Sequence, residues 1–151
     1  MPTAIHAGVL IDGTGADPIR DAIVVIDEGV IVSVGAKAPR GATVVDATGL
    51  TVLPGLIDCH VHIGISSLGI EQRVLTPPSL LVARALVNAG ATLRAGFTTV
   101  RDGGGAARGV KMAIDGGLFP GPRMRISVGA LSQTGGHGDH FMPSGVRLRI
   151  E

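Results

Sequence analysis

The apolar positions of this chain change texture at residue 54. Over residues 3–53 they come in short runs separated by Gly, Pro and Asp, and residues 3–10, 21–27, 30–34, 43–46 and 51–53 each read as a strand bounded by turn residues. Ile11-Asp12-Gly13-Thr14-Gly15 reads as a turn, and Glu28-Gly29 between two β-branched runs is a hairpin signal. Short strands at this spacing predict a small β-sandwich or meander over residues 1–54. From residue 55 strand-like and helix-like periods alternate. Residues 56–63 read as a strand. Residues 80–95 read as a helix with Ser79 as N-cap and Gly96 just past the end, and Gly90 inside it costs about 1 kcal/mol relative to Ala. Residues 97–101 form the next strand, 108–115 a short helix, and 124–131 a third strand. Strand, helix, strand, helix, strand is the pattern of parallel βαβ units with right-handed crossovers. Such sheets gather their chemistry at the carboxyl ends of the strands. Those ends carry His62, Asp102 and the loop SQTGGHGDH.

The stretch PGLIDCHVHIG, residues 54–64, carries the most specific signal. Strand side chains alternate faces, so Asp58, His60 and His62 are expected on one face and Ile57, Cys59, Val61 and Ile63 on the other. Two imidazoles at i and i+2 can converge on one cation, because neutral imidazole is a common ligand of zinc and related metals. A bare His-x-His also arises by chance with purely structural histidines. The acid two residues earlier, the Pro-Gly entry and the Gly exit move the reading towards metal. His6, in the first strand, reads as an ordinary partly buried histidine.

Composition narrows the field. Hydrophobic residues make up 45% of the 151 and charged residues 17%, which excludes a disordered chain. With no Trp or Tyr, the core must be built from Val, Ile, Leu and Ala. A formal charge of +1 with interspersed signs gives no electrostatic reason for nucleic acid or an anionic membrane. The single Cys59 rules out an internal disulfide and reads as a small apolar residue rather than a reactive thiol. The first residues lack a basic start followed by a long apolar run, and no run approaches a membrane span, so no signal peptide is expected and a cytoplasmic location is the default.

Two glycine clusters need a decision. GGGAARG, residues 103–109, follows a strand and precedes a helix, where a phosphate loop would sit. Its spacing is one residue longer than the dinucleotide fingerprint, no acid closes the next strand, and there is no GK[ST], so nucleotide binding is disfavoured. Asp102, just before it, reads as an acceptor for loop amides. In SQTGGHGDH the adjacent glycines let backbone amides approach a ligand closely, and His137 follows them; a loop whose histidines face water stays equally open.

The segments GVLIDGTG, DAIVVIDEGVIVSVG, DATGLTVLPGLIDCHVHI, AGFTTVRDGG, GPRMRIS and SQTGGHGD together resemble the metal-dependent amidohydrolase superfamily, in its prolidase-like (Xaa-Pro dipeptidase-like) branch. The resemblance implies an α/β fold: the N-terminal portion of a (β/α)8 TIM-like barrel, about three βα units over residues 55–151, preceded by part of a small β-sandwich over residues 1–54. It implies that His60 and His62 bind a divalent metal, usually zinc, with two ions in the complete site. It also implies that His137 contacts substrate. The chemistry that follows is hydrolysis of amide or peptide bonds in a small peptide or amide substrate by a metal-activated hydroxide. The family's bridging lysine, later histidines and final aspartate have no counterpart here, since Lys37 and Lys111 lie away from strand ends, so no catalytic residue is identifiable in this chain. The tail FMPSGVRLRIE looks unlike the family continuation. Two histidines make a poor site where catalytic zinc generally takes three protein ligands. The expectation is a fragment inactive alone, which self-associates or meets a complementary barrel fragment. The alternative is a non-catalytic partial-barrel module.

Overall fold

The computed structural model describes residues 1–35, 37–66, 69, 75–136, 138, 139, 144 and 145. The chain divides into two compact units, Met1–Pro54 and Gly55–Glu151.

The first unit holds four strands: β1 (Thr3–Leu10), β2 (Ile19–Asp27), β3 (Val30–Gly35) and β4 (Thr43–Val52). They form one sheet in the order β3-β2-β1-β4, antiparallel across β1–β2 and β2–β3 and parallel across β1–β4. The β2–β3 hairpin closes through Glu28 and Gly29 with φ of 48° and 79°, the doubly positive pair that matches strand twist in a two-residue turn. Ala7, Leu10, Ala22 and Val24 form the buried cluster, with Ile5, Ile26 and Val52 packed against it.

β4 departs from the sequence reading, which expects two strands broken around Gly49. The strand is continuous, and the interruption is a bulge: Ala7 pairs with Ala47 and Val9 with Thr51, so Thr48, Gly49 and Leu50 all stand against Gly8. A Cβ on Gly8 would lie 2.0 Å from the Thr48 carbonyl oxygen, so only glycine admits this approach. Asp46 accepts hydrogen bonds from the Thr48 amide (3.0 Å) and hydroxyl (2.8 Å) and fixes the start of the bulge.

In the second unit, β5 (Leu56–Val61), β6 (Phe97–Asp102) and β7 (Arg123–Ile126) form a parallel sheet in that order. The crossovers are helices α1 (Pro78–Arg94) and α2 (Arg108–Asp115). This is the α/β pattern the sequence predicts. α1 begins one residue before the expected cap Ser79. Pro78 takes the first turn, where its missing N–H costs nothing, and the Pro77 carbonyl receives the Leu80 and Leu81 amides. Gly96, at φ +96°, takes the left-handed position after the helix and donates to the Leu93 carbonyl, as expected of a C′ glycine.

The small face of α1, with Ala85, Ala89 and Gly90 buried, meets Ile63, Val100, Ala106, Val110 and Met124 in one core. Burial of each larger aliphatic there contributes about 1.5–3 kcal/mol. β7 stops at Ile126, five residues short of the predicted end. Its partner β6 ends at Asp102, which pairs with Ile126, and Val128 has φ +65°, so neither ladder nor extended backbone continues. Leu131 is fully exposed.

Candidate metal centre at the carboxyl end of β5

β5 was expected to be a buried strand with strict alternation. The structure corrects both points. Among the described residues β5 pairs only with β6, and Ile57, Cys59, His60 and His62 are exposed. Asp58 pairs with Val100 and Val61 with Asp102, so two residues, Cys59 and His60, stand against the single Arg101. In a parallel ladder paired residues share a face, so Asp58 joins the side of buried Val100 rather than the side of the histidines.

Past the irregularity the two imidazoles stand together. The His60 and His62 ring centroids are 5.0 Å apart, with planes 81° to each other. Both rings lean over Gly103, the first residue after β6. A Cβ there would lie 3.3 Å from His60 Cε1, 3.5 Å from His60 Nε2 and 3.5 Å from His62 Cε1. A side chain at 103 would therefore occupy the space the rings use.

His62 Nδ1 lies 2.8 Å from the Gly104 carbonyl oxygen. A carbonyl only accepts, so Nδ1 carries a proton, and Nε2 is the nitrogen whose lone pair a neutral ring would offer to a ligand. A backbone carbonyl on the non-ligating nitrogen is the usual device for orienting a metal-binding imidazole. The carbonyl is held in turn by Asp102, whose side chain is buried at 1% exposure. Its Oδ1 accepts from the amides of Gly104 (2.9 Å) and Ala106 (3.3 Å), and Oδ2 accepts from the Ile63 amide at 2.7 Å. One carboxylate thus ties the exit of β5 to the loop after β6, in the amide-acceptor role read from the sequence.

The same loop closes the nucleotide question. The Gly103 amide donates to the Val61 carbonyl, the Gly105 amide to the Val128 carbonyl, and those of Gly104 and Ala106 to Asp102. Four successive amides are committed inside the protein, and none is free to cradle a phosphate. The glycines serve close packing instead: a Cβ on Gly64 would sit 1.7 Å from the Gly105 carbonyl oxygen, and one on Gly104 would sit 3.1 Å from the Ala130 amide. Gly103 and Gly104 are the site residues that sequence reasoning missed. Their signal was the strand-end aspartate directly before a run of three glycines.

His137 lies outside the described residues. Around it, the Gly135 amide donates to Asp139 Oδ2 (2.8 Å) and the Asp139 amide to the Gly136 carbonyl, so the loop turns back on itself. Among the described residues no three His, Cys, Asp or Glu side chains gather as a metal site; His60 and His62 stand as a pair. The shifted acids, Asp12 and Asp46, are in the first unit. Each is held below the usual carboxylate range chiefly by a backbone amide, from Thr14 and Thr48 respectively, and then by the same residue's hydroxyl. No helix among the described residues is long and apolar enough to cross a membrane.

The chain is similar to several known proteins. The sequence pattern of the amidohydrolase family matches residues 51–151. An ochratoxinase from Aspergillus niger is 37% identical over 152 aligned positions, which cover 95% of this chain and 32% of that protein. The crystal structure of a prolidase complexed with N-methylphosphonate-L-proline superposes with a TM-score of 0.86 at 40% identity, over 99% of this chain and 37% of that one. A Xaa-Pro dipeptidase with methionine bound in its active site gives 0.81 at 32% identity, over 92% and 36%. The chain spans about a third of the length of these relatives.

Proposed function

Since this chain belongs to the amidohydrolase family, we propose that it supplies the first part of the active site of a metal-dependent hydrolase that cleaves amide or peptide bonds in small, dipeptide-like substrates. The observation that carries the reading is the convergence of His60 and His62 over Gly103, with the His62 tautomer set by the Gly104 carbonyl. Two neutral nitrogen donors beside a side-chain-free position suit a divalent cation such as zinc, and His60 and His62 would hold it. When bound, such an ion polarises the scissile carbonyl and acidifies a water. The chain's own part is orientation: Asp102 holds the loop, the loop carbonyl holds the His62 ring, and Gly103 leaves room for the reacting groups. His137, which follows β7 in the sequence, is assigned to substrate contact on its match to the family motif.

The same reading makes the 151-residue chain inactive alone. Two imidazoles fall short of the three protein ligands usual for catalytic zinc. Leu56 and Ile57 on β5 are 43% and 66% exposed, and an open strand of this kind favours self-association or pairing with a complementary barrel fragment. The test is a Zn²⁺ titration of the chain with its His60→Ala and His62→Ala variants, followed by Xaa-Pro dipeptide hydrolysis with and without the remaining barrel of a prolidase. Binding that needs both histidines, with turnover only in the complemented form, is expected. Zinc affinity that ignores both substitutions would overturn the metal assignment, and chelator-sensitive turnover by the chain alone would overturn its inactivity.

A further inference from the structure

Asn88 is a polar residue beside the small, buried face of α1. Ala85, Ala89 and Gly90 are buried there, and Asn88 itself is half-buried. Asparagine is a poorer helix former than alanine, and position 88 is interior to Pro78–Arg94, where it caps neither end. Its side chain reaches the chain leaving β5. Nδ2 donates to the Ile63 carbonyl at 2.9 Å and comes within 3.4 Å of the Ser66 hydroxyl. Ile63 is 5% exposed, so this carbonyl is shut off from water and needs a donor inside the protein. β5 has already ended at Val61, and its ladder supplies none.

The same carbonyl lies at the centre of a tight turn that begins with His62. The Ile65 amide donates to the His62 carbonyl at 3.0 Å, so Ile63 and Gly64 are the two middle residues. Neither has a positive φ, which makes the turn type I. Glycine in the third place equally admits type II, in which the middle peptide is turned over and Gly64 takes a positive φ. The Ile63 carbonyl would then leave α1, and the Gly64 amide would face it. The packing on the next loop would change with it. At present a Cα hydrogen of Gly64 faces the Gly105 carbonyl oxygen, and the adjacent Gly104 carbonyl is the acceptor for His62 Nδ1. We propose that Asn88 is a positioning residue for His62. By binding the Ile63 carbonyl it selects the orientation of the Ile63–Gly64 peptide, and with it the fit of Gly64 against the loop that orients the His62 ring. The consequence for a bound ion rests on the hydrolase reading; the orientation of the peptide does not.

Both parts can be measured on the 151-residue chain. In a type I turn the amide protons of Ile63 and Gly64 are close together; in type II the Ile63 Hα is close to the Gly64 amide instead. Metal-free wild type should give the strong amide–amide nuclear Overhauser cross-peak. Asn88→Asp removes the donor and offers the Gly64 amide an acceptor, so it should exchange that cross-peak for the Hα–amide one. Asn88→Leu removes the donor alone and should weaken the amide–amide cross-peak. Zn²⁺ affinity should fall about three-fold or more in both, short of the roughly 10-fold or greater loss typical of a direct partner of a metal-binding imidazole. A merely structural role would lower the melting temperature and leave the cross-peaks of the folded chain as they are. The proposal is overturned if wild type gives the Hα–amide pattern, or if Asn88→Asp keeps the amide–amide pattern. It is overturned equally if the peptide turns over and zinc affinity stays at the wild-type value, since His62 would then be held without it. Should Asn88→Asp fail to fold, Asn88→Leu decides by the same two readings. A wild type that binds no zinc while the cross-peaks exchange as expected supports the hold of Asn88 on the peptide and overturns the hydrolase reading instead.

Discussion

The two units each contain a bulged strand, and each bulge starts with an aspartate bonded to the amide two residues on. In β4 Asp46 holds the Thr48 amide; in β5 Asp58 holds that of His60. The outcomes differ in what the bulge presents. In β4 the Thr48 hydroxyl turns back onto Asp46 itself, and the displaced backbone closes on Gly8. In β5 the displaced residue carries an imidazole that remains exposed, beside a second one. The same local device shapes a sheet in one place and presents ligand-type side chains in the other. The partner strand makes the difference: glycine opposite the first bulge lets the backbones close up, whereas arginine opposite the second reaches across to the Cys59 carbonyl with its side chain.

Substituting the closest glycine contacts should break the two regions separately, and this is the largest effect. Gly64→Ala drives a Cβ into the Gly105 carbonyl and Gly8→Ala drives one into that of Thr48, each against backbone that cannot step aside. Each should cost about 3 kcal/mol or more, beyond ordinary overpacking, in its own unit. Hydrogen exchange resolved by residue should show Gly64→Ala loosening residues 56–66 and 103–106 with β1 and β4 unchanged, and Gly8→Ala the reverse.

Asp102→Asn comes next. An amide nitrogen cannot accept, so one of the three backbone donors served by Asp102 loses its partner in a buried position, at about 1–3 kcal/mol. Thermal unfolding should report that loss, and the His62 Nδ1 proton resonance should shift as the Gly104 carbonyl moves.

Gly103→Ala sharpens the comparison more gently. Its Cβ would be 3.3–3.5 Å from both rings, tight enough to displace them by tenths of an ångström. Zinc affinity should drop several-fold while the melting temperature stays near wild type, an effect with no parallel in the β4 bulge. An unchanged affinity would mean that the cation sits elsewhere.

The smallest effect is in pH. Asp46 and Asp12 have lowered pKa values in the folded chain, so the stability they contribute is present above the ordinary carboxylate pKa of about 4 and is lost as pH falls through the lowered folded values. Both are fully exposed, so the slope is shallow. Asp46→Asn should flatten the acid limb of the first unit and leave the second unit's limb as it was.

Elements bounded by their own chemistry were legible in the sequence. The Glu28-Gly29 hairpin, the Gly96 helix end and helix 108–115 all carry local signals, and all stand where those signals put them. Features set by a distant partner were not. Gly49 reads as a strand break because nothing nearby shows that β1 resumes pairing beyond it. β7 reads long because its end is decided by where β6 stops. At the site, His60 and His62 were visible as a spaced pair, yet the face of Asp58 was misassigned because alternation assumes an unbroken ladder. The committed amides of residues 103–106 were hidden for the same reason. A glycine run advertises freedom, and only the fold reveals how much of it has been used.

That last point bears on affinity. Three glycines in a row would ordinarily make a hinge, and a ligand arriving at a hinge must freeze it. Here the strand-end carboxylate already holds the segment in the folded chain, so an ion bound as proposed would meet a His62 ring that is oriented beforehand. Selectivity at this position should then follow the fixed separation of the donors more than the adaptability of the chain, favouring ions whose bond lengths match it.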